Sequence, residues 1–205
     1  MYDVSRSLRK SSISGYTMRC IASLESAAEI SNVLLLQALH DRFSWGRYRF
    51  LELDKKMTEQ REGCTAALNK KWLEDLEANG YNSKKMERYA EAIERVMTNK
   101  SKDKAQVKMI RSLLAEVIMA NTHILYTDYK FKKERIKALQ NKLLDYSFLI
   151  KRQEVQIWDF FECMRRECGV RSTMYEKYRK EHGPADIGPK HAMYLKEGEA
   201  NGQES

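Results

Sequence analysis

Two prolines and nine glycines in 205 residues leave this chain few places where a helix has to stop. Its four cysteines, Cys20, Cys64, Cys163 and Cys168, form no disulfide framework, and a reducing compartment is the natural reading. The longest apolar run, Val33-Leu34-Leu35-Leu36, is far too short to span a bilayer. The polar, basic stretch Met1–Tyr16 has no apolar segment of signal-peptide length. A cytoplasmic protein without a membrane partner is therefore expected. No motif places a nucleophile, a base and an oxyanion donor together, so no enzymatic activity and no catalytic residue is expected. Cys163 and Cys168 lie five residues apart on a helical pattern, and with His182 and His191 they lack the tight paired spacing of zinc ligands. No metal and no cofactor is expected.

What is present is apolar periodicity and positive charge. Hydrophobic residues make up 42% of the chain, enough for a packed core, and 32% charged residues suit a helix-rich protein. A net charge of +8 and a pI near 9.2 favour acidic partners: nucleic acid, an acidic protein face or anionic lipid. From Phe131 to Cys168 there is no Gly or Pro. Apolar residues fall at Ile136, Leu139, Leu143, Tyr146, Ile150, Ile157, Phe160 and Met164, with Gln153 filling the one gap. Alternating steps of three and four predict one long helix packed lengthwise on a partner.

The rest of the chain reads as helix throughout. A first helix over Thr17–His40 carries an apolar face through Met18, Ile21, Leu24, Ala28, Val33 and Leu36. Phe43-Ser44-Trp45-Gly46 interrupts it, with Gly46 permitting a sharp turn and the aromatics wedging between helices. A second helix is predicted over Arg47–Leu76, weakened at Gly63, and a third over Lys84–Met97 with Ser83 as its cap. A fourth covers Lys104–Tyr126, and Ser172 or Thr173 caps a short last helix ended by His182-Gly183-Pro184. The predicted organisation is a flexible basic arm (1–15), a first helical unit (16–82), a connecting helix and linker (83–102), a second unit with the long helix (103–170), and a short helix with a mobile tail (171–205).

Sliding the chain by 86 residues lays Ala38–Met57 over Ile124–Leu143. Leu39, Arg49, Leu53 and Lys56 meet Leu125, Arg135, Leu139 and Lys142, and Trp72 falls on Trp158. The fold class expected is all-α: two tandem, duplicated helical units with long heptad-patterned helices forming a helical bundle. The same seams could pair between chains as a homodimer.

The segment Ala38-Leu39-His40-Asp41-Arg42-Phe43-Ser44-Trp45-Gly46-Arg47-Tyr48-Arg49-Phe50 resembles small uncharacterised phage and prophage proteins of Gram-positive bacteria. Those carry an Ala-Leu, an acidic residue, an aromatic-Gly-aromatic-Gly helix junction, then a basic pair and an apolar helix. Here Ser44 replaces the first glycine and Tyr48 a basic residue, while the second copy, Tyr129-Lys130-Phe131-Lys132, lacks both glycines. The resemblance spans about 45 residues and implies a bacterial host cell and a phage setting, in which some proteins block host defences, including CRISPR nucleases.

The candidate binding residues are cations. Lys130, Lys132, Lys133 and Arg135 open the long helix, and Arg47 and Arg49 are their counterparts in the first unit. Cations at a helix N-terminus oppose the macrodipole, so a phosphate-rich or acidic partner would explain them, as against a merely solvated face. Tyr48, Tyr129 and Phe131 could stack on bases or serve as core wedges. A second cluster holds Lys151, Arg152, Arg165 and Arg166, and between Asp128 and Lys180 there are 14 Lys or Arg against 8 Asp or Glu. The expected function is non-enzymatic, anti-CRISPR-like binding of a host protein or nucleoprotein complex, with direct DNA or RNA binding or self-assembly as alternatives.

Overall fold

The structure, a computed structural model, describes residues 15–62, 65–98 and 103–187. The predicted arm, Gly63, most of the linker, and the tail beyond residue 187 lie outside the described residues, as do the side chains of Met18 and Ile21. Eight α-helices and no strand make up the described residues: α1 Gly15–Phe43, α2 Arg47–Glu62, α3 Ala66–Ala78, α4 Ser83–Thr98, α5 Lys104–Thr127, α6 Lys133–Lys151, α7 Ile157–Cys168 and α8 Thr173–His182. The chain is an all-α helical bundle.

Both long helices of the sequence reading are broken. The stretch predicted as one helix from Phe131 to Cys168 divides into α6 and α7. Ile136, Leu139, Leu143, Tyr146 and Ile150 are buried along α6, but Gln153, which filled the gap in the pattern, is exposed with a left-handed backbone at φ 59°. The Glu154 N–H donates to the Leu149 carbonyl (3.0 Å) and the Gln153 N–H to that of Ile150 (3.0 Å), which closes the helix with a left-handed cap. Three residues on, the Asp159 carboxylate accepts from the Gln156 N–H at 2.7 Å and opens α7. A cap built from Gln153 in place of glycine left no mark in the composition. The helix predicted over Arg47–Leu76 likewise divides into α2 and α3, the latter capped by the Thr65 hydroxyl, which accepts from the Leu68 N–H at 3.2 Å.

The two junctions that follow α1 and α5 are built alike. Ser44 (φ 54°) and Lys130 (φ 57°), 86 residues apart, are both left-handed. The N–H of the next residue reaches back in each case, Trp45 to the Leu39 carbonyl (3.3 Å) and Phe131 to that of Leu125 (2.9 Å). The left-handed residue that makes the turn is thus Ser44, and not Gly46, which precedes α2 as Lys132 precedes α6. These two junctions face each other. Phe43 lies 4.9 Å from Phe131 and Trp45 lies 4.8 Å from Tyr129, both ring pairs tilted at 58°, and Trp45 meets Phe131 edge-on at 5.9 Å.

Helix packing is reciprocal in the same sense. α1 lies on α5; α1 touches α6 while α5 touches α2; α1 touches α7 while α5 touches α3. Two cross-ties repeat it: Lys56 on α2 pairs with Asp128 at the end of α5 (2.6 Å), and Lys142 on α6 with Asp41 near the end of α1 (3.9 Å). Past the middle of the second helices the correspondence lapses. Trp72 stacks on His123 of α5, whereas Trp158 stacks on Tyr178 of α8.

The helix expected to be a connector is a wall of the core. α4 packs along both α6 and α5, burying Met86, Tyr89, Ala90 and Ile93. Its N-terminal turn is capped by Asn82, whose Oδ1 accepts from the Lys85 N–H at 3.1 Å, while the predicted cap Ser83 bonds Glu77 instead. The buried Gln140 of α6 fixes that turn by accepting from the Asn82 N–H (2.9 Å) and donating to its carbonyl (3.3 Å). A buried amide satisfied twice by backbone sets the height of α4 on α6.

Candidate partner-binding surface

Arg47, Arg49, Lys130, Lys132, Lys133 and Arg135 gather at the paired junctions, the end of the bundle where α2 and α6 begin. Packing gives five of them structural work. The Arg49 guanidinium lies over the Trp45 ring at 5.6 Å and that of Arg135 over Phe131 at 5.5 Å, the same contact at the same offset. Lys130 Nζ donates to the Thr127 carbonyl at the end of α5 (2.6 Å). Arg47 runs alongside Gly169, which caps α7; a Cβ there would sit 3.7 Å from its Cδ and Nη1. A cation beside a helix C-terminus is favourable, so the cation that opposes the dipole of its own helix complements that of a neighbour.

Lys133 takes the matching place against Gly80, just past α3, where a Cβ would come within 2.6 Å of its Cγ. Gly80 has φ 91°, so both backbone and space demand glycine there. Lys132 stays exposed at the N-terminus of α6, where it makes no side-chain cap.

The second predicted cluster is divided. Lys151 is exposed at the end of α6, and Arg152 Nε pairs with Glu154 at 2.7 Å. Arg165 and Arg166 turn inward to Glu162, a carboxylate with 0% exposure. Arg165 donates through Nε (3.0 Å) and Nη2 (2.7 Å), Arg166 through Nε, and the Tyr175 hydroxyl at 2.8 Å; Arg179 Nε stands 3.6 Å away. Donation from Arg165 outweighs the cost of burial and holds the Glu162 carboxyl down to about 2. Tyr175 also accepts from the Ala185 N–H at 3.1 Å, so the network locks α8 and the segment after it onto α7. These two arginines cover a buried carboxylate from the surface, the Arg166 side chain remaining half exposed.

One place has the residue types of a nucleophilic site. His40 Nε2 lies 2.9 Å from a Glu167 oxygen, and its Nδ1 lies 3.6 Å from Cys168 Sγ. Nδ1 also lies 2.7 Å from the Trp45 carbonyl, which can only accept, so that nitrogen carries a proton and cannot take one from the thiol. Burial pushes the Cys168 thiol up to about 11 and the Cys163 thiol higher still. The arrangement ties the Trp45 junction to α7 and does not activate sulfur. Among the described residues no group of three His, Cys, Asp or Glu side chains is gathered to hold a metal ion. An open groove of about 300 Å³ along α5 is lined by Lys104, Val107, Lys108 and Arg111, of which Arg111 is paired with Glu94 at 2.9 Å.

Of the aromatics set against base stacking, Phe131 is core and Tyr129 packs against it, as wedges do. Tyr48 differs: it is 88% exposed, and Leu51, one turn on, is 59% exposed. No motif in the sequence marks Leu51, although the buried register Phe50, Leu53, Met57 already puts positions 48 and 51 on the outer face.

Among the described residues no helix is long and apolar enough to cross a membrane. No protein-family model, curated protein or solved structure matches the chain.

Proposed function

We propose that this is a phage-type, non-catalytic binding protein that docks on a host nucleic-acid-processing defence complex and blocks it, in the manner of an anti-CRISPR inhibitor. It acts from the bacterial cytoplasm as two related helical units descended from a duplicated segment. The observation that carries the reading is the junction end of the bundle. There six cations of a chain with net charge +8 crowd around one rigid aromatic cluster, with Lys132 exposed beside it. An inhibitor of this kind needs a stiff cationic face and no assembled nucleophile. The resemblance of Ala38–Phe50 to phage proteins supplies the setting.

The test is an interference assay: expression in a CRISPR-carrying bacterium restores phage plaquing, and a Lys132→Glu, Lys151→Glu variant restores less. Full immunity in the presence of the folded protein overturns the reading. The exposed Tyr48 between Arg47 and Arg49 favours one alternative, direct binding of DNA or RNA. That reading requires an affinity for bare oligonucleotide that falls steeply as salt rises.

A further inference from the structure

Matched positions in the two units act as an internal control on which exposed residues the fold accounts for. Arg47 and Lys133 both lie against a glycine after another helix, and Arg49 and Arg135 both lie over the junction ring of their own unit. Beside these matched cations, at positions again 86 residues apart, the units differ. Where the second has Glu134 and Lys137, an i,i+3 ion pair at 3.3 Å on an ordinary solvated face, the first has Tyr48 and Leu51. The structure thus shows what suffices when this helical turn only has to meet water. Tyr48 and Leu51 depart from it with the largest exposures among the exposed large apolar side chains of the described residues.

We infer that the start of α2 is the anchor of a protein-docking face, with Tyr48 and Leu51 entering an apolar seam of an acidic, amphipathic partner segment. The inference rests on the binding reading above and names the residues and the partner chemistry. Arg47 and Arg49 flank Tyr48 and remain exposed at their outer edges, so a carboxylate-rich partner meets complementary charge on both sides. Leu51 favours a protein: a tyrosine between arginines suits a stacked base as well as a protein, but an exposed leucine one turn on gains more from an apolar seam than from a charged phosphate backbone. Tyrosine and arginine are also the side chains that most often dominate protein interfaces, while the cations committed to packing hold the surface rigid.

The test uses the full chain and a synthetic helical peptide with leucines on one face and glutamates on the other, followed by fluorescence anisotropy, with an oligothymidylate as the second probe. Tyr48→Ala and Leu51→Ser are each expected to weaken peptide binding about tenfold. Glu134→Gln with Lys137→Gln, at the matched positions, should leave it within about twofold, since an exposed ion pair contributes little. Both substituted sites are exposed, so folding is unaffected, and circular dichroism checks this. If the peptide binds equally to Tyr48→Ala and Leu51→Ser but not to Lys132→Glu, the cationic reading stands and this anchor is wrong. If the oligothymidylate binds and depends on Tyr48 but not Leu51, the occupant is nucleic acid and the inference is overturned. Dimerisation that rises with concentration and disappears in the same variants would make the occupant a second copy, which also overturns it. Binding of neither probe sinks the anchor alone, because the inhibitor reading is decided separately by the interference assay.

Discussion

Trp45 meets Phe131 edge-on at 5.9 Å, which places the turn after α1 directly on the turn after α5. Each ring is buried, and each carries an arginine from the first turn of its own following helix. Trp45→Ala or Phe131→Ala is expected to cost about 3–5 kcal/mol, because a large cavity opens where four helices meet. Phe43→Ala combined with Phe131→Ala should be less costly than the sum of the two, with a coupling of about 0.5–1.5 kcal/mol. Urea denaturation of the four proteins measures this, and strictly additive losses would mean that the ring contact carries no energy.

Left-handed backbone at Ser44 and Gln153 costs stability that glycine would not. Ser44→Gly and Gln153→Gly are each expected to raise stability by about 0.5–1 kcal/mol, and the melting temperature by a few degrees. Lys130→Gly should gain less, since it removes the bond from Nζ to the Thr127 carbonyl. Gly80→Ala runs the other way. Its φ of 91° and the 2.6 Å approach to Lys133 predict a loss of at least about 1 kcal/mol. Were Gly80→Ala neutral, the contact between α6 and the α3–α4 turn would be misplaced.

Among the described residues Glu162 is the carboxylate that Arg165, Arg166, Arg179 and Tyr175 face together. Glu162→Gln is expected to destabilise by about 3 kcal/mol, because three cations lose the charge they were folded around. The linkage has a definite sign. A carboxyl held below its ordinary value contributes stability that is complete above about pH 4.5 and is lost as the pH falls toward about 2. Loss of α8 should come first, since Tyr175 is its buried anchor, and limited proteolysis near Thr173 at low pH would detect it. An acid unfolding profile identical in Glu162→Gln and the unaltered protein would refute this.

His123 is stacked on Trp72 at 5.0 Å, and its pKa is lowered chiefly by desolvation, against smaller opposing fields from Asp75 and Asp128. The unfolded chain therefore binds the proton more readily than the folded one. Stability from this group is full well above pH 6.5 and falls as the pH drops through that value to the depressed folded pKa. His123→Phe keeps the stack and should flatten the melting temperature between about pH 7 and pH 5.5. A slope unchanged by the substitution would assign it to another group.

The helical class was legible in the residues, and so was the buried register of α2 and α6. That of α1 was not: the predicted Leu24, Ala28 and Leu36 are only partly buried, while Ala27, Ile30, Leu34 and Leu35 fill the core. Apolar spacing of three and four identified Ile136 to Ile150 and Phe50 to Met57 as buried, and an offset of 86 paired the segments that meet. Helix ends were less legible. The break at Gln153 falls on a residue that prefers helix, and only the closing bonds to Leu149 and Ile150 show it.

The candidate site divided along the same line. Sequence alone determined that cations crowd the starts of α2 and α6, because composition and order are local facts. Their employment is a matter of tertiary structure: whether a guanidinium faces water, a tryptophan, a helix end or a buried carboxylate depends on what another segment brings within a few ångströms. So Arg165 and Arg166 went to Glu162, Arg47 to the end of α7, and Arg49 to Trp45, while Tyr48 and Leu51 stayed in water. The sequence supplied the charge. Only the packing of one junction on the other decided which side chains it left for a partner.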